Sequence, residues 1–300
     1  MQEIIETVPN FSEGRRSETV AALCQAMQSV AGVTLLDREM DHDHNRSVIT
    51  LVGARQPIAE ATFRGVQKAA ELIDLNQHQG EHPRMGACDV LPFVPVRGAT
   101  MADCVALAHQ VGKRIGSELQ IPVFLYEEAA TRPQRKNLAE VRKGQFEGLR
   151  DLIGTDPERD PDFGPRRIHP TAGAIAVGAR FFLIAYNVNL NSDDLGLAKS
   201  IAKRIREKDG GFACVKAMGF LLKERGLAQV SMNLTNFQVT PVLEVFREIK
   251  RLAAEKGVAV LESELVGLAP RAALDAQTLG EIELAQFEPK KQIIEELLGP

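Results

Sequence analysis

Residues 80–98 read GEHPRMGACDVLPFVPVRG, a cluster of ionisable side chains placed just before an apolar run. His82 is the one side chain there that can give and take a proton near neutral pH without a large shift. Glu81, or another carboxylate, could orient its ring. Arg84 could receive a substrate carboxylate through two parallel hydrogen bonds. Gly80 and Pro83 would pin the loop. A surface histidine beside a structural arginine explains the tetrapeptide equally well when it is taken alone. The chemical reading gains weight from two further runs.

The first run is VPNFSEG, which places Pro9, Asn10, Ser12, Glu13 and Gly14 directly after a predicted strand. Ligands tend to meet α/β sheets there, although a turn followed by a helix entrance accounts for Ser12 and Gly14 without one. The second run is DHDHN, residues 41–45, followed by Arg46. Alternation could set His42 and His44 on one side of an extended segment as metal ligands. The adjacent arginine argues against a cation, and His78, His109 and His169 are too dispersed to complete a ligand set. A solvated active-site rim is the expected reading, with no metal.

Cys24, Cys88, Cys104 and Cys214 show no CxxC spacing, so buried free thiols are expected. Cys88 lies near His82 and could in principle be a nucleophile. Its neighbour Ala87 and the adjoining strand point instead to a packed thiol, with no evident cationic helix N-terminus to lower its pKa. Neither GxxxxGK[ST] nor GxGxxG after a strand occurs, which argues against a nucleotide cofactor.

The elements that must position these residues follow from pattern. EIIETVP predicts a strand, and SETVAALCQAMQSV a helix with Ser17 as its N-cap. GVTLLDRE and RSVITLVG predict two strands, and IAEATFRGVQKAAELI a long amphipathic helix with Pro57 at its mouth. VLPFVPV, ADCVALAHQVGKRIGSEL and IPVFLYE then give strand, helix and strand. The rhythm breaks over residues 127–171, either a linker or a functional loop. Afterwards the opening order returns: RFFLIAYNVNL is a strand, NSDDLGLAKSIAKRIRE a helix, and LAQVSMNL with VTPVLEVFREIKRLAAEKG repeats the unit that contains Pro57, now with Pro241. The echo predicts two related halves with a cleft between them, unless any two βα units look this much alike.

The chain has 300 residues, 44% hydrophobic and 25% charged, enough for one large or two ordinary domains. Its 36 Lys and Arg against 40 Asp and Glu leave a net charge of −4, so no global basic field draws it to nucleic acid or membrane. The start has no cationic n-region with an apolar h-region, and no long apolar run follows. A cytoplasmic protein with small-molecule partners is expected. The sequence does not fix the oligomeric state, a homodimer being one compatible form.

Seven blocks, VPNFSEG, DHNRSV with TLVG, GEHPRMGACDVLPFVPVRG, LYEEAA, PDFGP, GAR with FFLIAYNVNL, and LAQVSMNLTNF, run in order across nearly the whole chain and resemble the formiminotransferase family. A chain ending at Pro300 resembles the stand-alone microbial form, without the cyclodeaminase fused in animals. The resemblance implies transfer of a formimidoyl group from N-formimidoyl-L-glutamate to tetrahydrofolate, giving 5-formimidoyltetrahydrofolate and L-glutamate, in histidine degradation. Tetrahydrofolate is then the acceptor substrate, with no metal. The implied fold is α/β: two similar, ferredoxin-like subdomains, each a mixed sheet with helices on one face, residues 1–179 and 180–300, and a folate tunnel between them.

The family's catalytic histidine corresponds to His82, and its folate-contacting segment to Phe163, Gly164, Pro165, Arg166, Arg167, Ile168, His169, Pro170, Thr171 and Ala172. Within that segment residues 166–169 depart from the animal pattern of small and hydroxyl residues. Glu39 stands where the animal proteins carry an aspartate. Asn10, Glu39, Arg46, Glu81 and Arg84 are the supporting candidates: the carboxylates to tolerate the amidinium's positive charge, Arg46 and Arg84 to hold the donor's carboxylates. Two alternatives remain at this stage, another one-carbon activity such as one on 5-formyltetrahydrofolate, and a non-catalytic folate binder.

Overall fold

The apolar run Ile4–Thr7 forms β1, and Pro9, which has no N–H to donate to a ladder, interrupts the strand before it resumes as β2 (Asn10–Phe11). Helix α1 (Ser17–Gln28), β3 (Val33–Asp41), β4 (Arg46–Gly53), α2 (Arg55–Leu72) and β5 (Cys88–Arg97) complete a β-α-β-β-α-β unit. The structure is a computed structural model that describes residues 3–298, and the chain divides into two compact units, Met1–Arg180 and Phe181–Pro300.

In the first unit β4 pairs antiparallel with β3 on one side and with β1 and β2 on the other, and β5 closes against β1 and β2. The chain then adds α3 (Met101–Arg114), β6 (Val123–Glu127), the short helices α4 (Leu138–Val141) and α5 (Gln145–Leu152), and β7 (Ile175–Ala179). Strand β7 inserts between β5 and β6, parallel to both, so the sheet is mixed. Residues 127–171, expected as a linker or loop, thus hold two helices that form a layer of their own. Ser17 is the first helical residue of α1 and does not cap it. Arg16 is the N-cap residue and no side chain caps the helix; the Glu13 carboxylate closes the turn before it, accepting from the Arg15 and Arg16 N–H groups at 2.9 Å each.

The second unit runs β8 (Ile184–Leu190), α6 (Leu195–Ile205), β9 (Val215–Leu222), β10 (Leu227–Leu234), α7 (Val242–Ala254) and β11 (Val260–Val266), in the order β11-β8-β10-β9. This is the ferredoxin-like arrangement. Every pairing in it is antiparallel, because each neighbouring pair in the motif runs in opposite directions. Mixed character belongs to the first sheet alone and comes from the added β7 and β6. Pro57 and Pro241 both stand at the mouths of their helices but are not equivalent: Pro57 is the third residue of α2, whereas Pro241 is the N-cap of α7.

Alternation decides which face of the first sheet does what. Ile5, Phe11, Ile49, Leu51, Leu91, Phe93, Leu125 and Val177 point to one face and pack with residues of α1, α2 and α3. The opposite face under β5, β7 and β6 is covered by α4 and α5, with Val90, Phe124, Tyr126 and Ala176 against Val141, Leu149 and Ile153. The rest of that face, formed by β3, β4, β1 and β2, carries polar side chains. Leu51 is fully buried on the helix side. Leu51→Ala should cost about 2–5 kcal/mol of stability, read from the urea midpoint at constant m; a cost below about 1 kcal/mol would show that this layer is not close-packed.

Candidate active site

Register gathers the candidates on the polar face. Glu39 pairs with Val48, Val48 with Asn10, and Asn10 with Val90. One row of side chains therefore crosses the sheet, with Arg46 two residues from Val48 on the same face. Arg46 is half-buried, and its guanidinium donates to the Asn10 side-chain oxygen, from Nε at 3.0 Å and also from Nη2. Asn10 in turn donates to the Val8 carbonyl at 2.7 Å. Glu39 is accessible to solvent on β3. Its carboxyl is raised above the usual range by desolvation and then by the Asp37 charge, with Arg46 acting the other way.

The loops above this row are clipped together by Asn45, whose backbone is left-handed at φ 47°. Its side-chain oxygen accepts from Gly14 N at 2.9 Å, its amide donates to Gln79 O at 2.9 Å, and its carbonyl meets His78 Nε2 at 2.9 Å. Since His78 Nδ1 accepts from Arg84 Nε at 3.2 Å, the proton lies on Nε2 and the ring is neutral. Two glycines permit the approach. A Cβ on Gly14 would meet Asp41 O at 2.1 Å, and one on Gly80 would meet His44 O at 2.3 Å. Arg84 places both terminal nitrogens on Glu147, at 2.8 and 2.7 Å, tying the loop to α5.

His82 sits half-buried within this frame. The His44 ring stands edge-on to it with centroids 6.3 Å apart, and His44 Nδ1 lies 2.8 Å from Asp41 Oδ2. Desolvation first, then the charges of Arg46, Arg142 and His44, pull the His82 pKa down to about 3, with Asp41 opposing. The resting ring is therefore a neutral imidazole. Glu81 is exposed, with its backbone N–H on Asp43 O at 3.3 Å. Cys88 is buried and its thiol is pushed well up by desolvation and by Asp89, as expected of a packed thiol.

The segment 163–172 divides. Phe163, Gly164 and Pro165 line a pocket of about 380 Å³ beside the C-terminal end of α3. Arg166 pairs with Asp160, and Arg167 is exposed. Ile168 is partly buried against the core, and His169 Nδ1 accepts from Ala172 N at 2.9 Å to close its own turn. The far end joins the site: Leu75 N bonds Thr171 O, Ala87 N bonds Ala172 O, both at 2.9 Å, and Pro170 O accepts from Asn76 at 2.8 Å. Beside that end a pocket of about 480 Å³ is lined by Leu75, Asn76, His78, Gln79, Gly80, Arg84 and Glu147. Among the described residues no group of three or more His, Cys, Asp or Glu could hold a metal ion.

Sequence reasoning missed three residues here. Arg142 follows α4 and donates to the buried Asp89, whose other oxygen accepts from Met85 N at 2.7 Å. Asp89 is the extra residue of a bulge in β5, opposite Asn10 and Phe11, a device that re-aims a side chain. Glu6 pairs with Val52 and Val94 and so lies on the same face as Asn10. It is buried, and desolvation raises it to about 7 against the Arg180 charge. A charged residue inside an apolar strand was the only signal for Glu6; Arg142 gave none.

A neutral histidine set among guanidinium groups on a β-α-β-β-α-β sheet is suited to moving protons on an anionic small molecule. The chain belongs to the formiminotransferase family, matching the formiminotransferase domain, N-terminal subdomain, over residues 4–180 and the formiminotransferase domain over residues 185–278. It is 50% identical over 300 residues to a glutamate formimidoyltransferase of Streptococcus pyogenes, covering all of both chains. A glutamate formimidoyltransferase of Thermoplasma acidophilum is 50% identical over 90% of this chain and 89% of its own. The formimidoyltransferase-cyclodeaminase of Mus musculus is 41% identical over 99% of this chain and 60% of its own.

The two shifted groups give opposite pH effects on stability. His82 is held below its ordinary 6.5, so its contribution is full above pH 6.5 and is lost as pH falls toward about 3. Glu6 is raised above its ordinary 4.5, so its contribution is present below pH 4.5 and is lost as pH rises through about 7. Urea midpoints should therefore fall less on acidification from pH 6.5 to 4 in His82→Gln than in the parent. They should fall less from pH 5 to 8 in Glu6→Gln. Parallel profiles for variant and parent would remove the corresponding shift.

Proposed function

We infer that this protein is a glutamate formimidoyltransferase, a transferase that moves the formimidoyl group of N-formimidoyl-L-glutamate to N5 of tetrahydrofolate and releases L-glutamate, a step of histidine degradation. The observation that carries the reading within the fold is His82: a neutral imidazole with no protein hydrogen bond to its ring among the described residues, beside Arg46 and Arg142. Full-length identity to the bacterial formimidoyltransferase supports the substrates. Tetrahydrofolate enters as substrate, and no metal is invoked. The setting is cytoplasmic on this reading; among the described residues no helix is long and apolar enough to cross a membrane.

The chemistry needs two proton movements. N5 of tetrahydrofolate attacks the formimidoyl carbon, and the C=N electron pair moves onto nitrogen to give a tetrahedral adduct. His82 takes the proton from N5. The adduct then collapses, re-forming the amidine double bond and expelling the α-nitrogen of glutamate, which leaves as an amine only if protonated; His82 returns the proton there. Glu39 and Asp41 supply negative charge for the amidinium, and Arg46, held by Asn10, meets a donor carboxylate. Arg84 keeps the loop in place through Glu147, and Glu81 lies at the exposed edge of the loop. The folate is met through residues 163–172, whose end at residues 169–172 is the part bonded to the His82 loop.

Purified protein should release glutamate from formimidoylglutamate only when tetrahydrofolate is present. His82→Ala should lower kcat by about 10²–10⁴-fold while KM for both substrates changes little. Tetrahydrofolate binding without glutamate release by the parent would make the chain a folate binder. Near-normal kcat with lost affinity in the variant would make His82 a binding residue.

A further inference from the structure

Two guanidinium groups, Arg46 and Arg142, act on His82, and the second keeps a donor that its carboxylate partner does not take up among the described residues. Arg142 lowers the pKa of Arg46 as well as that of His82, which places the three groups in one field. Asp89, Glu39 and Asp41 act in the opposite sense on Arg46, but the Asp89 carboxylate also serves Met85 N. Arg142 gives Asp89 only its Nη2, and its Nε is buried without a partner among the described residues. A guanidinium that leaves a buried N–H unsatisfied is uncommon in a finished structure, because the lost hydrogen bond to water is not replaced. Arg84 cannot share the task, since both of its terminal nitrogens are held by Glu147.

We propose that Arg142 and Arg46 together form the subsite for a carboxylate of the amino-acid donor, and that this carboxylate equips His82 for proton transfer. The proposal rests on the donor assigned above. An anion between the guanidiniums offers acceptors to the free donors of Arg142 and cancels the charge that repels a proton from His82. The charged groups facing His82 are Arg46 from β4, Arg142 after α4, His44 from the turn and Asp41 from β3; the anion removes the two largest repulsions and leaves Asp41 favourable. The resting enzyme thus holds an idle base, which gains proton affinity only once donor is bound. Asp89 positions Arg142, and the bulge in β5 positions Asp89.

Glutarate, a dicarboxylate without the amidine, serves as the probe. In the full chain, NMR of the His82 ring should show its pKa rise by at least one unit on saturation with glutarate. Arg142→Met should weaken glutarate at least tenfold by calorimetry, raise the donor KM by a similar factor, leave the tetrahydrofolate KM within about twofold, and abolish the glutarate-induced shift. Arg142→Lys should restore part of the affinity. Should the loss of Arg142 strand Asp89 and impair folding, the paired Asp89→Asn/Arg142→Met protein carries the same readouts without the buried unpaired charge. An unmoved His82 titration in the parent, or unchanged glutarate affinity in a folded Arg142 variant, would overturn the subsite. A parent that binds glutarate through Arg142 but transfers no formimidoyl group would instead overturn the donor assignment and keep the anion site.

Discussion

The site depends on one residue holding three loops in a backbone conformation that few side chains accept. Asn45 takes a left-handed φ of 47°, which asparagine tolerates because its short amide can bond locally. From there it reaches the loop after β2 through Gly14, the loop before β5 through Gln79, and His78 through its own carbonyl. Each of these loops comes from a different part of the chain and would fray alone. Clipped together, they bring Arg46 at the start of β4 and His82 into one field. Glycine at positions 14 and 80 follows from the same contact, since a side chain at either would push Asp41 or His44 carbonyls away.

Charge and burial then divide the work on the sheet. Polar side chains in the middle of an apolar core would be costly without partners, so the polar row lies where the α4–α5 layer ends. Asn10 and Asp89 are nearly inaccessible, while Glu39 stays open to solvent. Desolvation alone would favour neutral forms of every group there. Arginine resists, because its charge is lost only far above neutral pH, and the burden falls on His82, the group with the least basic cation. Its neutrality thus follows first from burial and then from the charges of Arg46 and Arg142 beside it.

Much of this was legible in the sequence, and the reasons for the rest are physical. Alternation and helical period marked most of the β-α-β-β-α-β order in the first unit, and its echo in the second was carried by Pro57 and Pro241. Strand β7 escaped because IAVGA is short and its β-branched residues, Ile175 and Val177, alternate with alanine and glycine, which are depleted in strands. Residues 127–171 read as irregular because α4 and α5 are short, at four and eight residues, and α5 opens from Gly144, its N-cap, without a side-chain cap. His82, Arg46 and Asn10 stand in compact motifs and could be singled out. Arg142 lies 60 residues from His82 in an ordinary polar helix end, and no local pattern reports that it meets Asp89. Glu6 and Glu13 were visible as letters, but their burial is a property of the sheet.

The two units make the comparison instructive, since one topology carries two different polar centres. In the second, Asn189 is fully buried on β8, the counterpart of the strand that carries Asn10. Its amide donates to Glu262 at 2.9 Å and Glu264 at 2.7 Å, its oxygen accepts from Gln229 at 2.9 Å, and Arg225 bonds both glutamates. One arginine is shared by the two carboxylates and the amides of Asn189 and Gln229 hold them further, so the network closes on itself, which rigidifies a sheet. In the first unit Asn10 holds an arginine, that arginine feels a second, and the second keeps a buried N–H without an acceptor among the described residues. The difference comes from the added layer: α4, which lies between β6 and β7 beyond the β-α-β-β-α-β motif, brings Arg142 to the face. A closed network stabilises; an open one of the same size is where a substrate can bind.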